Sequence, residues 1–346
     1  MKRMLVLYRE LAGYFVNTMN HLANNCDFEI DIVAYPVMND APFRFEFSKN
    51  IFLLSRHDFN EQQLISLSEA KKYDLIFCGG WADGAYLSVV KHNRHVKSLL
   101  GFDKQWLGNT RDVLGAAYLR WKVTRYFDYA FVPGLEQKIF AKRAGFKENR
   151  VFTGAYTCET QRFSKVFDKR KQKIFSKQIV FAGRYAHEKQ VEALWKCFLE
   201  LLPEFPDWTL HCVGTGPLRA TAVDHPHIIH HGFLQGTELE ALMVEGDIFV
   251  LPSSYEPWGV VVNEFALAGY PLVLSNRVGA RTSLLTDENG WVFQYNDIKS
   301  LKNVLKEAMS TPQEELARMG MTSNSLSAML DEKQYAASIL KMIETP

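Results

Sequence analysis

Short, nearly uninterrupted apolar runs recur along most of this chain, and this pattern limits the fold more than any other feature. In the first half they are Met4–Tyr8, Glu29–Ala34, Ile51–Leu54, Asp74–Cys78, Lys97–Gly101 and Tyr129–Val132. Helical stretches such as Glu61–Lys72 and Glu136–Arg143 separate some of them. A strand with one wet face alternates apolar and polar residues, whereas a strand covered on both faces does not. The runs therefore predict parallel sheets flanked by helices, an α/β chain.

A second series follows. It has strands at Gln178–Ala182, Thr209–Val213, Ile228–His231, Ile248–Leu251 and Pro271–Ser275, with helices at Val191–Leu202, Thr237–Glu245, after Gly259, and from Ile298 onward. At 346 residues the chain is too long for one ordinary core, so two domains are expected. The boundary falls where KVFDKRKQKIFSK (Lys165–Lys177) concentrates cations, which reads as a solvated link. The expected division is residues 1–164, a basic linker 165–177, residues 178–325, and a last helical segment 326–346. Two doubly wound units in tandem bind ligands at the carboxyl ends of their strands, in a cleft. Neither repeats nor low-complexity segments interrupt the series.

Charge and cysteine usage exclude several classes. A formal net charge of +1 gives no global field for nucleic acid. The five cysteines, Cys26, Cys78, Cys158, Cys197 and Cys212, are scattered without CxxC spacing, which fits buried thiols rather than a disulfide framework or a zinc site. The opening MKRMLVLYR is too short for a signal peptide, and no run approaches the length of a membrane span. A cytoplasmic location is expected, with peripheral contact on the membrane's cytoplasmic face left open.

The chemistry concentrates in SSYEPWGVVVNEFALAGYP (Ser253–Pro271), which holds Glu256 and Glu264 eight positions apart. Pro257 and Gly259 keep a helix from starting before about Gly259 or Val260. Even in an unbroken helix, eight residues separate two side chains by about 12 Å and about 80°, so the acids do not share a proton. The spacing suits an elongated ligand held at two points, with helix N–H groups between them that favour a phosphate. FAGRYAHEKQ supplies cations, with Arg184 just past Gly183 and Lys189 before the next helix. Arg holds two phosphate oxygens in its planar fork, and Lys adds a mobile point charge. The resulting order of carboxylate, diphosphate clamp and carboxylate matches a nucleoside diphosphate sugar. Taken singly, Arg184 is more often a surface salt bridge and Glu264 a solvated helix residue. VGTGPLR (Val213–Arg219) lacks the third glycine of a dinucleotide fingerprint and is weak evidence for a dehydrogenase.

The series FAGR…EK, VGTGP, HHGFL, DIFVLPSSYEPWGVVVNEFALAGYPLVLS and NGWVF resembles the carboxy-terminal domain of the large retaining glycosyltransferase family related to glycogen and sucrose synthases (group 1). The match covers roughly Ile179 to Phe293 and centres on the family's E-x7-E signature. The resemblance implies a GT-B fold, two Rossmann-like domains facing across a cleft. It implies metal-independent, retaining transfer of a hexose from a UDP-, GDP- or ADP-sugar to a carbohydrate or glycolipid hydroxyl, in glycan or polysaccharide biosynthesis. No D-x-D sequence is present to hold a metal.

Carried over residue by residue, the pattern implies that Arg184 and Lys189 hold the diphosphate, Glu256 contacts sugar hydroxyls and Glu264 binds the ribose. Backbone N–H groups from Trp258, Gly259 and Val260 would line the sugar and phosphate pocket. Gly214, Gly216, Phe233 and Leu234 would lie near the base. In the first half the pattern departs from the family. RELAGYF offers only Gly13 where many members carry a Gly-Gly loop by the donor. LLGFDKQWLGNTRD offers Asp103 where many place a histidine near the reacting sugar. The loop CGGWADG adds Trp81 and Asp83 as weaker candidates. These departures sustain an alternative, a noncatalytic nucleotide-sugar binding protein on the same fold. AAYLRWKVTRYF (Ala116–Phe127) mixes aromatic and basic residues. Such a helix can lie at a membrane interface beside a lipid-linked acceptor. The commoner reading, a core helix with a basic solvent face, is preferred.

Overall fold

The computed structural model describes residues 1–36, 45–171 and 175–345. In chain order the first elements are β1 (Lys2–Tyr8), α1 (Gly13–Asn25), β2 (Phe28–Ala34), β3 (Ile51–Ser55), α2 (Glu61–Ala70), β4 (Leu75–Gly79), α3 (Gly84–His92), β5 (Lys97–Gly101), α4 (Thr110–Lys122), β6 (Tyr129–Val132), α5 (Leu135–Arg143) and β7 (Val151–Thr153). Then come α6 (Thr160–Arg170), β8 (Gln178–Ala182), α7 (Val191–Leu201), β9 (Thr209–Val213), β10 (Ile228–Gly232), α8 (Gly236–Glu245), β11 (Ile248–Leu251), α9 (Val260–Leu267), β12 (Leu272–Ser275), α10 (Arg281–Leu284) and β13 (Gly290–Phe293). The helices α11 (Ile298–Ser310), α12 (Gln313–Ala328) and α13 (Glu332–Glu344) finish the chain.

These elements form two compact units. One comprises Met1–Thr157 with Leu330–Pro346, and the other Cys158–Met329. Among the described residues the first unit holds a sheet ordered β3-β2-β1-β4-β5-β6-β7 and the second a sheet ordered β10-β9-β8-β11-β12-β13. The pairings are parallel throughout. In each sheet the strand order reverses beside its first strand, which is the doubly wound arrangement.

The uninterrupted apolar strands follow from burial on both faces. Met4 and Val6 point into a cluster with α1 and α13, while Leu5 and Leu7 point into another with Tyr86, Leu119 and Phe140. Each fully buried side chain of this kind contributes about 1.5–3 kcal/mol over exposure. Helix α13 closes the first cluster with Tyr335, Ala336, Ile339 and Met342. The second sheet is packed in the same way, with Phe249 stacked on Phe265 at 4.1 Å.

The sequence reading and the structure differ in several places. The segment 165–177, expected to be a solvated link, begins inside α6, and its residues 172–174 lie outside the described residues. Phe163 and Val166 of α6 are buried. Arg170 donates to the carbonyls of Met243 (2.7 Å) and Gly246 (2.5 Å) and lies 3.6 Å over the Tyr270 ring. Lys165 and Lys169 are exposed while Arg170 turns inward, and the density of charge hides the two apolar positions that hold the helix down. The strands β7 and β13 were not expected as strands. Both are short edge strands with few residues to carry a pattern. The basic helix read at Ala116–Phe127 starts earlier and stops at Lys122. Its amino end is set by Asn109, whose side chain accepts from the Asp112 N–H.

Candidate functional site

In the second unit the strand order turns at β8 and β11, and the loops after these two strands carry the predicted residues. Strand β8 ends at Ala182, and Gly183–Lys189 follows as a tight loop with a helical turn at His187–Lys189. Strand β11 ends at Leu251, and Pro252–Gly259 leads into α9. The two loops are joined directly, since the Ser254 N–H donates to the Glu188 carbonyl at 2.7 Å. Lys189 reaches across and forms an ion pair with Glu256. Ser253 Oγ donates to the same carboxylate at 3.4 Å. The Glu256 backbone is pinned to the next loop, with its N–H on the Arg277 carbonyl (3.3 Å) and its carbonyl accepting from Gly279 (3.0 Å). Arg184 lies exposed on the same rim.

Two glycines shape this rim. Gly259 precedes α9 at φ 92°, a left-handed conformation that a side chain resists, and a Cβ there would stand 3.0 Å from Glu256 Cγ. Gly214 has φ 131°, and a Cβ would fall 2.0 Å from the Gly183 carbonyl oxygen, so the loop after β9 presses against the Gly183 loop. Gly216 opens the turn Pro217–Thr221 beside it. Trp258 is buried, with its indole N–H on Asn263 Oδ1 at 2.9 Å, which fixes the chain as it enters α9. In the first turn of α9 the Val262 N–H donates to the Gly259 carbonyl at 2.9 Å.

Glu264 sits one turn into α9, facing a group that sequence reading did not single out. Its carboxyl is raised to about 7, chiefly by burial; Arg162 of α6 opposes the rise and Glu159 adds to it. Arg162 is itself held by Glu240 (2.7 Å), Glu159 (3.1 Å) and the Gly236 carbonyl (2.8 Å). The Gly236 contact ties α6 to the start of α8, just past the loop where Phe233 is exposed and Leu234 half-buried.

The first unit has a cavity of about 580 Å³ at the carboxyl ends of β1, β4, β5 and β6, where that sheet's order reverses. Asp103, just past β5, lies on its wall and accepts from the Tyr156 hydroxyl at 3.2 Å. Tyr8, Tyr14, Trp81 and Phe102 are also on the wall. Burial pushes the Tyr14 hydroxyl up to about 12 and raises Tyr8 and Tyr156 as well, so all three stay protonated donors near neutrality. Gly13 opens α1 next to Tyr14. Asp83 is committed elsewhere: it caps α3 through the Ala85 N–H, pairs with Arg56 at 2.7 Å and accepts from Tyr35 at 2.9 Å. Burial opposes its ionisation, but the Arg56 and Tyr35 bonds outweigh that and lower its pKa. The three tyrosines were not singled out in the sequence because a tyrosine at the end of β1, in the first turn of α1 or in the loop after β7 looks like ordinary core or loop.

Among the described residues no group of three or more His, Cys, Asp or Glu could hold a metal ion. Nor is any helix among them long and apolar enough to cross a membrane.

With this geometry in view, residues 163–324 match the family described as Glycosyl transferases group 1. The match lies within the second unit and covers a little under half of the chain. Over 142 residues the chain is 31% identical to glycogen synthase of Mycobacterium tuberculosis, covering 39% of this chain and 34% of that protein. The chain spans about a third of the length of the curated relatives it matches first. Solved structures share the fold. Sucrose-phosphate synthase from Thermosynechococcus elongatus superposes with a TM-score of 0.72 at 16% identity, covering 99% of this chain and 98% of the other. Anabaena Alr3699/HepE, solved in complex with UDP and glucose, gives 0.74 at 12% identity over 100% of both chains. The fold is GT-B.

Proposed function

We propose that this chain is a retaining glycosyltransferase that moves a sugar from a nucleoside diphosphate sugar to a hydroxyl acceptor. The observation that carries the reading is the meeting of the Arg184–Lys189 loop with Glu256 at the β8–β11 crevice, inside a group 1 glycosyltransferase domain. The Alr3699/HepE structure holds UDP and glucose on the same fold, which supports a nucleotide-sugar donor here.

In this reading the donor diphosphate lies at the amino end of α9, where the positive end of the helix favours phosphate oxygens. Arg184 and Lys189 add positive charge. Lys189 is already held in position by Glu256, so little reorganisation is needed as charge develops on the departing diphosphate. The Glu256 carboxylate accepts from sugar hydroxyls. Glu264, one turn further along, takes the ribose diol, with Phe233 and Leu234 beside the base. The acceptor occupies the first unit's cavity, where Asp103 and Tyr156 orient a hydroxyl and the aromatic wall packs against a sugar ring.

The step breaks the bond from the anomeric carbon to the phosphate oxygen, and the electron pair leaves with the diphosphate. The acceptor oxygen bonds to the same carbon, and its proton is released. Rate enhancement comes from orientation and from stabilising the leaving group. The cationic site performs this work without a metal, and the donor sugar is a hexose destined for a glycan. The test is release of nucleoside diphosphate from a panel of UDP-, GDP- and ADP-sugars, with and without acceptor extract, in the presence of chelator. Acceptor-dependent release with one base, and an unchanged anomeric configuration by NMR, supports the reading. Binding without release in any mixture would mean a noncatalytic binding protein.

A further inference from the structure

Helix α4 exposes a continuous apolar stripe. Its inner side, Asp112, Ala116, Leu119 and the following Val123, is buried in the first unit. On the other side Leu114 is 71% exposed and Trp121 74% exposed, with Val113 and Tyr118 each more than half exposed. At about 100° per residue, Val113, Leu114, Ala117, Tyr118 and Trp121 fill an arc of about 140°. Exposed cations border that arc, with Arg120 on one edge and Arg111 and Lys122 on the other. Helix α5 packs alongside and continues the surface with exposed Leu135 and Ile139. Between the helices a groove of about 670 Å³ brings Arg120, Arg125 and Arg143 around Trp121.

Two acids near this face are occupied elsewhere. Asp112 is buried against Lys104, and Glu148 bridges Lys138 and Lys142. The exposed side of α4 therefore combines a Trp and a Tyr with aliphatic residues and a cationic margin. This is the composition of a helix lying in a headgroup layer, its apolar arc among acyl chains and its cations on lipid phosphates.

We infer that the α4–α5 face is a docking surface for an anionic lipid bilayer. Charge complementarity selects this occupant, because a neutral protein patch would leave the Arg and Lys border unanswered. A chain of rings, Trp81–Phe102 (5.6 Å), Phe102–Phe140 (6.0 Å) and Phe140–Trp106 (6.3 Å), runs from the wall of the Asp103 cavity to this groove. On the function proposed above, docking here sets the acceptor cavity beside the bilayer, which fits a lipid-linked acceptor. The docking itself does not depend on that function.

The test is flotation of the full chain with vesicles of phosphatidylcholine alone and with added phosphatidylglycerol, at low and raised salt. The account expects binding that needs phosphatidylglycerol and weakens with salt. Arg120→Glu and Arg125→Glu should each reduce the bound fraction by roughly fivefold or more. Leu114→Ser with Trp121→Ser should reduce it by roughly tenfold or more. Both substituted sets are exposed residues, and an unchanged melting temperature confirms their fold. If the double serine variant unfolds, the charge reversals carry the test. Failure of the unsubstituted chain to float with anionic vesicles at low salt overturns the inference. So does binding that neither set alters, or a Trp121-dependent dimer with no vesicle binding, which would make a second copy the occupant. Because vesicle binding is read without donor or acceptor, its failure is distinguishable from failure of the transferase reading.

Discussion

Replacing Glu264 with glutamine should stabilise the second unit at neutral pH and above, and leave it unchanged in acid. Burial raises this carboxyl from 4.5 to about 7. A raised carboxyl pKa means the folded state holds the proton more tightly than the unfolded chain. The group therefore costs nothing below about pH 4.5, where it is protonated in both states. Its cost grows as pH climbs from 4.5 to 7, then levels off. At 1.36 kcal/mol per unit the full shift corresponds to about 3.4 kcal/mol. Solvent reaching the open part of the side chain reduces this to about 2 kcal/mol. Glutamine keeps the shape and never ionises. Urea unfolding of the wild type and Glu264→Gln, followed across pH 4 to 8 through the transition that nucleoside diphosphate shifts, gives the difference curve directly. Other titrating groups cancel in that difference. A variant no more stable than the wild type at pH 8, or a difference that is flat across the range, would refute a buried, proton-binding Glu264.

Two further outcomes follow from the geometry. Asp103→Asn and Tyr156→Phe should each lower kcat/KM for the acceptor by roughly 10–100-fold while the donor KM stays put, since the first replaces the carboxyl with a weaker neutral acceptor and the second removes the hydroxyl that donates to it. Wild-type acceptor kinetics in both would remove the cavity from the account. Gly214→Ala should cost about 3 kcal/mol or more and weaken nucleotide binding, because the new Cβ meets the Gly183 carbonyl at 2.0 Å in a left-handed backbone. An unchanged unfolding midpoint would contradict that close approach.

The sheets were legible because their strands are short apolar blocks buried on both faces. The bounds of β5, β6, β8, β9 and β11 agree with those read from the residues. Helix α6 was not legible, since six cations in the thirteen residues 165–177 look solvated until Arg170 is seen capping carbonyls over the Tyr270 ring. The rim of the second unit was readable as a motif, Arg184 to Lys189 and Glu256 to Glu264. The direct Lys189–Glu256 pairing was not, because it joins residues 67 apart through the β8–β11 neighbourhood. Asp103 stood out as a strand-end acid, yet its partner Tyr156 belongs to the loop after a three-residue strand that carries no pattern of its own. On α4 the sequence showed aromatic and basic residues together. Only their angular sorting into a buried side and an exposed stripe gives that mixture a direction.

The central claim is that Arg184 and Lys189 grip a nucleoside diphosphate at the β8–β11 crevice. Melting shifts with UDP, GDP and ADP, for the wild type, Arg184→Ala and Lys189→Ala, test it most directly. The account predicts a clear stabilisation of the wild type by one base, and its loss or near-loss in both variants with their unliganded folds intact. No shift with any of the three diphosphates, or a full shift surviving both substitutions, would contradict it.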